Sequence, residues 1–178
     1  MKINIETVTI PAGWGCEAFQ IGQYPVTVGE WNAVMPDDRR GGDDRHPVTR
    51  VNVEDIDKFL VKLNAITGKQ YRLPTEIEWC IAVGREPENL ADYAVFNAES
   101  VAPVGSKLPN EYELYDMRGN VWEWTTTGRN NNRYVLRGGS WFGDVGLARA
   151  VYRLDYRPAI RVNNVGFRLF CVVRPPSL

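Results

Sequence analysis

The sequence predicts one α+β domain, with two capped helices in its N-terminal half, short strands and much irregular loop. Three observations lead there. Two apolar stripes carry helix start and stop residues of their own between positions 52 and 84. Short alternating or apolar runs open and close the chain. From Arg85 onward Gly, Pro, Asn and aromatic residues interrupt every regular pattern. At 178 residues a single domain buries about 70% of its unfolded surface. No internal repeat, low-complexity tract or linker divides it, so 1–178 reads as one unit.

Ile3, Ile5, Val8 and Ile10 predict an opening strand, ended by Pro11-Ala12-Gly13. A second strand is expected over Ala18 to Gly22. Tyr24-Pro25-Val26-Thr27 leads into a short helix around Val28 to Val34, and the charged segment Met35 to Arg45, with Gly41-Gly42, reads as a solvated loop. Asn52 is placed to cap a helix whose Ile56, Phe59, Leu60 and Leu63 share one face, stopped by Gly68. Thr75 with Glu78 forms a capping box that starts a further helix through Val83, with Gly84 as its stop. Trp122, Trp124 and Trp141 are expected to form an aromatic core beneath the later loops. The run Gly166 to Val173 is expected to form a strand pairing with the first.

Composition excludes several function classes. A hydrophobic share of 44% with 24% charged residues is that of an ordinary globular domain. A net charge of -1 and an isoelectric point near 5.9 lack the basic field that nucleic acid requires. No apolar run reaches the ~18 residues of a membrane span, and Met1-Lys2-Ile3-Asn4-Ile5-Glu6 alternates like a strand and does not resemble a secretory signal. Synthesis in the cytoplasm, with assembly onto a virion or other surface, is the expectation. Cys16, Cys80 and Cys171 stand far apart in no metal-ligand spacing; they read as buried thiols, with a disulfide as the alternative. His46 is the only histidine, too few for a mononuclear metal catalyst that takes two or three imidazoles. Its place before Pro47 in a turn points to a structural hydrogen bond.

The most informative stretch is C-terminal. Arg137-Gly138-Gly139-Ser140-Trp141 and Gly166-Phe167-Arg168 bracket positions 142–165, where Phe142, Asp144, Leu147, Leu154-Asp155-Tyr156-Arg157, Ile160 and Val162-Asn163-Asn164 mix every side-chain class without regular period. A fixed frame around such positions suits binding. Two readings stand for Leu147, Leu154, Ile160 and Val162, core or display. Asp155 and Arg157 resist burial, because inside they would have to be paired. Arg149, Arg153, Arg161 and Arg168 read as scaffold, each able to tie several loop carbonyls.

In order, Tyr24-Pro25-Val26-Thr27, His46-Pro47-Val48-Thr49, Tyr71-Arg72-Leu73-Pro74-Thr75-Glu76-Ile77-Glu78-Trp79, Gly119-Asn120-Val121-Trp122-Glu123-Trp124, Arg137-Gly138-Gly139-Ser140-Trp141 and Gly166-Phe167-Arg168 resemble the formylglycine-generating-enzyme (sulfatase-modifying factor) domain family. That resemblance covers nearly the whole chain and implies a variant C-type lectin fold. Oxidase members carry two copper-binding cysteines shortly after the Gly-Gly-Ser motif. By register these fall on Gly143 and Ala148, which supply no thiolate. The sulfoxide-forming relatives use a histidine cluster that one histidine cannot make. The resemblance therefore implies a binding protein, with an oxidase or a catalytically dead relative as the alternative.

A third branch fits the segment 141–168 better: the variable proteins of diversity-generating retroelements, in which a template-copying step scatters adenine-rich Asn codons while scaffold positions stay fixed. The spacing is similar to such templates and gives twelve variable, ligand-binding positions: Phe142, Gly143, Asp144, Leu147, Leu154, Asp155, Tyr156, Arg157, Ile160, Val162, Asn163 and Asn164. Asn codons ending in a pyrimidine and randomised at adenine cannot yield Lys, Glu, Gln, Met or Trp. None of these occurs among the twelve, an outcome with a chance of order 5–10% from ordinary residue usage. The implied partner is a protein or cell-surface ligand, with homo-oligomerisation adding avidity, as on a phage tail tip. Tyr156 and Arg157 are the expected hot spots, at about 1–3 kcal/mol each. No cofactor is required. The resemblance also raises a structural calcium held by Asp116, Glu123 and the carbonyls of Gly119 and Val121; a capping or hydrogen-bonding role for the two carboxylates is the alternative.

Overall fold

The computed structural model describes residues 3–126 and 134–172. Two four-stranded sheets share the chain. The first contains β1 (Thr7–Ile10), β2 (Phe19–Gly22), β3 (Tyr71–Arg72) and β8 (Phe170–Cys171), in the order β1-β2-β8-β3. The second contains β4 (Trp122–Trp124), β5 (Tyr134–Arg137), β6 (Arg153–Tyr156) and β7 (Val165–Phe167), in the order β6-β5-β4-β7. All pairings are antiparallel except β4 with β7.

Helices α2 (Val53–Thr67) and α3 (Glu76–Ala82) start where the sequence places their caps, and α1 (Val28–Val34) spans the short helix expected there. Each opens on a capping box, Thr27 with Glu30, Asn52 with Asp55, and Thr75 with Glu78, in which side chain and backbone satisfy one another's open N–H groups. Gly68 closes α2 in the left-handed conformation. Ile56, Phe59 and Leu63 of α2 are fully buried, each contributing about 1.5–3 kcal/mol relative to exposure. Phe59 stacks on Trp31 of α1 at 5.2 Å, and Phe167 of β7 meets both rings edge-on at 5.5 and 6.3 Å. That trio joins the helices to the second sheet.

The structure corrects the sequence reading at four places. The opening strand begins at Thr7; Ile5 is buried without joining a ladder. The C-terminal run is two strands broken at Arg168-Leu169, and its second part pairs with β2 and β3 instead of β1; Val173 lies outside the described residues. The break falls at Arg168, whose guanidinium turns to Glu123 and to the carbonyls of Gly22, Gln23 and Tyr115. Trp122 and Trp124 join the core, whereas Trp141 is only half-buried. Only Cys171 is a buried thiol: Cys16 is half-buried, Cys80 is exposed, and all three are free. Among the described residues, no helix is long and apolar enough to cross a membrane.

Candidate functional site

The site grows from β4. Glu123 sits opposite Arg137 of β5 on one side and Gly166 of β7 on the other, so both ends of the segment 141–168 are hydrogen-bonded to the same three-residue strand. Beneath it lies a buried charge node. The Arg168 guanidinium, fully buried, donates to Glu123 at 2.8 and 3.1 Å and to the carbonyls of Gly22, Gln23 and Tyr115. Trp79 Nε1 donates to the same carboxylate at 2.8 Å.

That node decides the calcium question. Both Glu123 oxygens are taken by Arg168 and Trp79, and a cation there would face the guanidinium. Asp116 accepts from the Gly105 N–H at 2.8 Å and from Asn120 Nδ2 at 3.3 Å, and burial pushes its carboxyl up. The residues Asp116, Gly119, Val121 and Glu123 therefore do not fit a calcium ion; the hydrogen-bonding alternative describes both carboxylates.

From this base the segment is led outward by small residues. Gly139, at φ 79°, lets the chain turn back so closely that an added Cβ would lie 2.6 Å from the Leu147 carbonyl oxygen. Ser140 is buried and its hydroxyl accepts from Asn164 Nδ2 at 3.2 Å. The carbonyls of Trp141 and Gly143 accept from the N–H groups of Ala98 and Asn97. Asp144 closes its own turn, accepting from Gly146 and Leu147 N–H at 2.8 and 3.2 Å. Ala148 is fully buried against Leu90 and Ala94. After β6 at the sheet edge, the Pro158 and Val162 carbonyls accept from Val53 and Arg50.

The twelve predicted positions divide in a way sequence alone does not show. Phe142, Asp144, Asp155, Arg157 and Asn163 are exposed. Phe142 is 74% exposed and meets the Trp141 ring edge-on at 5.6 Å. Leu147, Leu154, Tyr156 and Val162 are half-buried and pack against the main core, so for these four core and display are not exclusive. The Tyr156 ring meets Trp124 at 6.4 Å. Ile160, Gly143 and Asn164 are also half-buried. Asp155, Tyr156, Arg157 and Ile160 line one hollow of about 330 Å³. Asp155 is paired at the surface with Arg153 at 3.3 Å. A second cleft, about 420 Å³, brings Trp141 and Asn163 against residues 39–50 and 99–101; nothing in the sequence pattern of that charged loop singled it out. His46 lines this cleft while its backbone serves the turn, accepting from Val28 and donating to Asp43.

Of the arginines expected as scaffold, Arg168 ties loop carbonyls, whereas Arg153 and Arg161 hold carboxylates instead. Arg153 donates to Glu76 at 2.9 Å and the exposed Arg161 to Asp55 at 2.6 and 2.8 Å, while Arg149 is exposed. Burial pushes the Asp55 carboxyl up, but hydrogen bonds from Arg161 and the Asn52 N–H, with the charge of Arg161, outweigh this and hold it below the usual carboxylate range. The tie is therefore complete above the unfolded value of about 3.9 and is lost as pH falls through the lower folded value. Amide exchange at residues 159–162, corrected for its intrinsic pH dependence, is expected to rise only below about pH 4. Asp55→Asn should show the fast exchange already at neutral pH. A loosening that begins near pH 6, or none in the variant, would remove Asp55 as the anchor.

The family profile described as the sulfatase-modifying factor enzyme 1-like domain matches residues 11–173. The chain belongs to this family. Its α+β architecture is accordingly the variant C-type lectin fold of the formylglycine-generating-enzyme type. The inactive C-alpha-formylglycine-generating enzyme 2 of Bos taurus is 32% identical over 165 residues, covering 74% of this chain and 52% of the relative. The chain thus spans about half the length of the curated relatives it matches first. Among solved structures, Treponema denticola variable protein 1 aligns with a TM-score of 0.77 at 24% identity, covering 96% of this chain and 93% of that one. CarF aligns at 0.81 and 22%, covering 97% and 100%. The Major Tropism Determinant M1 variant aligns at 0.58 and 15%, covering 86% of this chain and 50% of that one. At these identities the structures show a shared fold.

Proposed function

We propose that this chain is a ligand-binding variable protein of a diversity-generating retroelement, presenting positions within 141–168 to a protein or cell-surface ligand, and that it acts by recognition without catalysis. One observation carries the reading. None of the twelve variable positions is buried, whereas Arg137 to Ser140 and Val165 to Arg168, the frame on either side, are buried without exception. Such a partition lets the surface change while the interior that sets the fold stays constant. The resemblance to solved proteins named for variability and tropism supports the same reading. The non-catalytic part is supported by Gly143 and Ala148 at the oxidase cysteine positions and by a curated relative named as inactive.

Sequencing the 3′ end of this gene from many sibling isolates tests it. Substitutions are expected at 142–144, 147, 154–157, 160 and 162–164, with Trp141 and Gly166 constant and Lys, Glu, Gln, Met and Trp absent from the twelve. Because Asp144 holds a local turn and Asn164 donates to the buried Ser140 hydroxyl across the base of the segment, their variants should perturb amide shifts of neighbouring residues more than those of Asp155 or Arg157. An unvarying segment would leave a fixed-specificity binding domain.

A further inference from the structure

We infer that the cleft beside Trp141 is a subsite for a carboxylate side chain of a protein ligand, held by the guanidinium groups of Arg39 and Arg50. This rests on the ligand-binding reading above and gives that ligand a chemistry. Three arginines line the cleft, Arg39, Arg40 and Arg50, against one acidic side chain, Glu99. Arg40 is already engaged, donating to Asp38 at 2.8 Å and lying 5.3 Å over the Trp31 ring, although its buried Nε has no partner. Arg39 and Arg50 form no ion pair among the described residues. In a chain of net charge -1, a concave surface with two uncompensated guanidinium groups concentrates positive potential locally.

The backbone at Arg50 adds a second, independent observation. It is held at φ 58°, a conformation costly for a side chain of this size, by its N–H bond to the Val162 carbonyl at 3.0 Å. Non-glycine residues persist there where surrounding structure over-determines them, and they cluster at binding sites. The bond also ties the arginine to the variable segment. A guanidinium fork matches a carboxylate with two parallel hydrogen bonds. The Trp141 indole offers the adjoining methylene groups an apolar wall, and Asn163, a variable position, stands at the rim. A volume of about 420 Å³ exceeds a lone ion and suits a side chain with its flanking backbone. Next to Trp141, the exposed Phe142 ring provides apolar area for a neighbouring residue of the same ligand.

The test is an NMR titration of the ¹⁵N-labelled chain with N-acetyl-glutamate N-methylamide, with the matching glutamine compound and glucuronate as comparators. Saturable shifts are expected at the Trp141 indole and at Arg39 and Arg50 Nε, with about tenfold weaker binding for the glutamine compound. The double substitution Arg39→Gln/Arg50→Gln should weaken the glutamate compound by a similar factor, with the remaining amide spectrum unchanged. Equal binding of the glutamine compound, or shifts confined to other surfaces, would overturn the subsite. Tighter binding of glucuronate would overturn the polypeptide assignment in favour of an acidic glycan. Residues 39 and 50 lie outside the variable segment, so the outcome is independent of the sequencing test. Saturable shifts in a chain whose segment proves invariant would support the subsite while removing diversification.

Discussion

Replacing Glu123 by alanine is expected to lower stability by about 3–5 kcal/mol, a large share of the roughly 5–15 kcal/mol that holds a typical domain together. The magnitude comes from what is left behind. Arg168 has no solvent exposure, and its guanidinium loses both carboxylate oxygens while keeping only three carbonyl acceptors. Trp79 Nε1 simultaneously loses its partner, adding the cost of an unsatisfied buried donor. Arg168→Met alone should be similarly damaging, because it leaves the carboxylate buried with only the indole. The double substitution Glu123→Ala/Arg168→Met should cost clearly less than the sum of the single changes, since neither charge then remains unpaired. Urea denaturation of the four proteins checks this. A single-variant loss under ~1 kcal/mol would mean the node is dispensable.

Gly139→Ala is the second large effect. The residue sits at φ 79°, where a side chain costs about 1–2 kcal/mol, and the new Cβ would press on backbone, 2.6 Å from the Leu147 carbonyl oxygen and 2.7 Å from the Ala148 Cα. Overpacking of this kind typically adds about 1–3 kcal/mol. Because Ala148 is fully buried, the backbone cannot retreat without disturbing its packing against Leu90 and Ala94. A lowered melting temperature and faster amide exchange across 144–152 are expected. Gly41→Ala, where nothing lies within 4 Å of the added atom, should be close to neutral. Equal melting of the two variants would show that the loop yields freely.

The elements written in local chemistry were legible from the chain itself. Helix starts at Asn52 and Thr75 and the stop at Gly68 come from local chemistry acting on backbone within four residues, so spacing alone reveals them; the capping box at Thr27 and Glu30 has the same spacing but was not read from the chain. The family and its fold were legible because six motifs occur in order. What was not legible is long-range. The exchange of partners by which β8 joins β2 and β3 goes with where Arg168 finds its acceptors, more than 40 residues away in every case. The same holds for Asp116 and Glu123, whose carboxylates look like metal ligands until the guanidinium occupying one of them is seen. Arg39 and Arg50 carried no motif at all; only folding brings them to Trp141 and Asn163.

The attachment of both ends of the segment to one strand has a practical consequence. β5 and β7 lie on opposite sides of β4, two strand spacings or about 10 Å apart, and the stretch between them leaves and returns through that fixed gap. Its two ports are set by the ladders on either side of β4. Sequences selected for other targets could be grafted at the exposed positions between Gly139 and Val165 without redesigning the interior, provided that β6, the core-facing Leu147, Leu154, Tyr156 and Val162, the buried Ala148 and the docking of Pro158 and Val162 are preserved. The domain would then serve as a disulfide-free carrier for binding libraries.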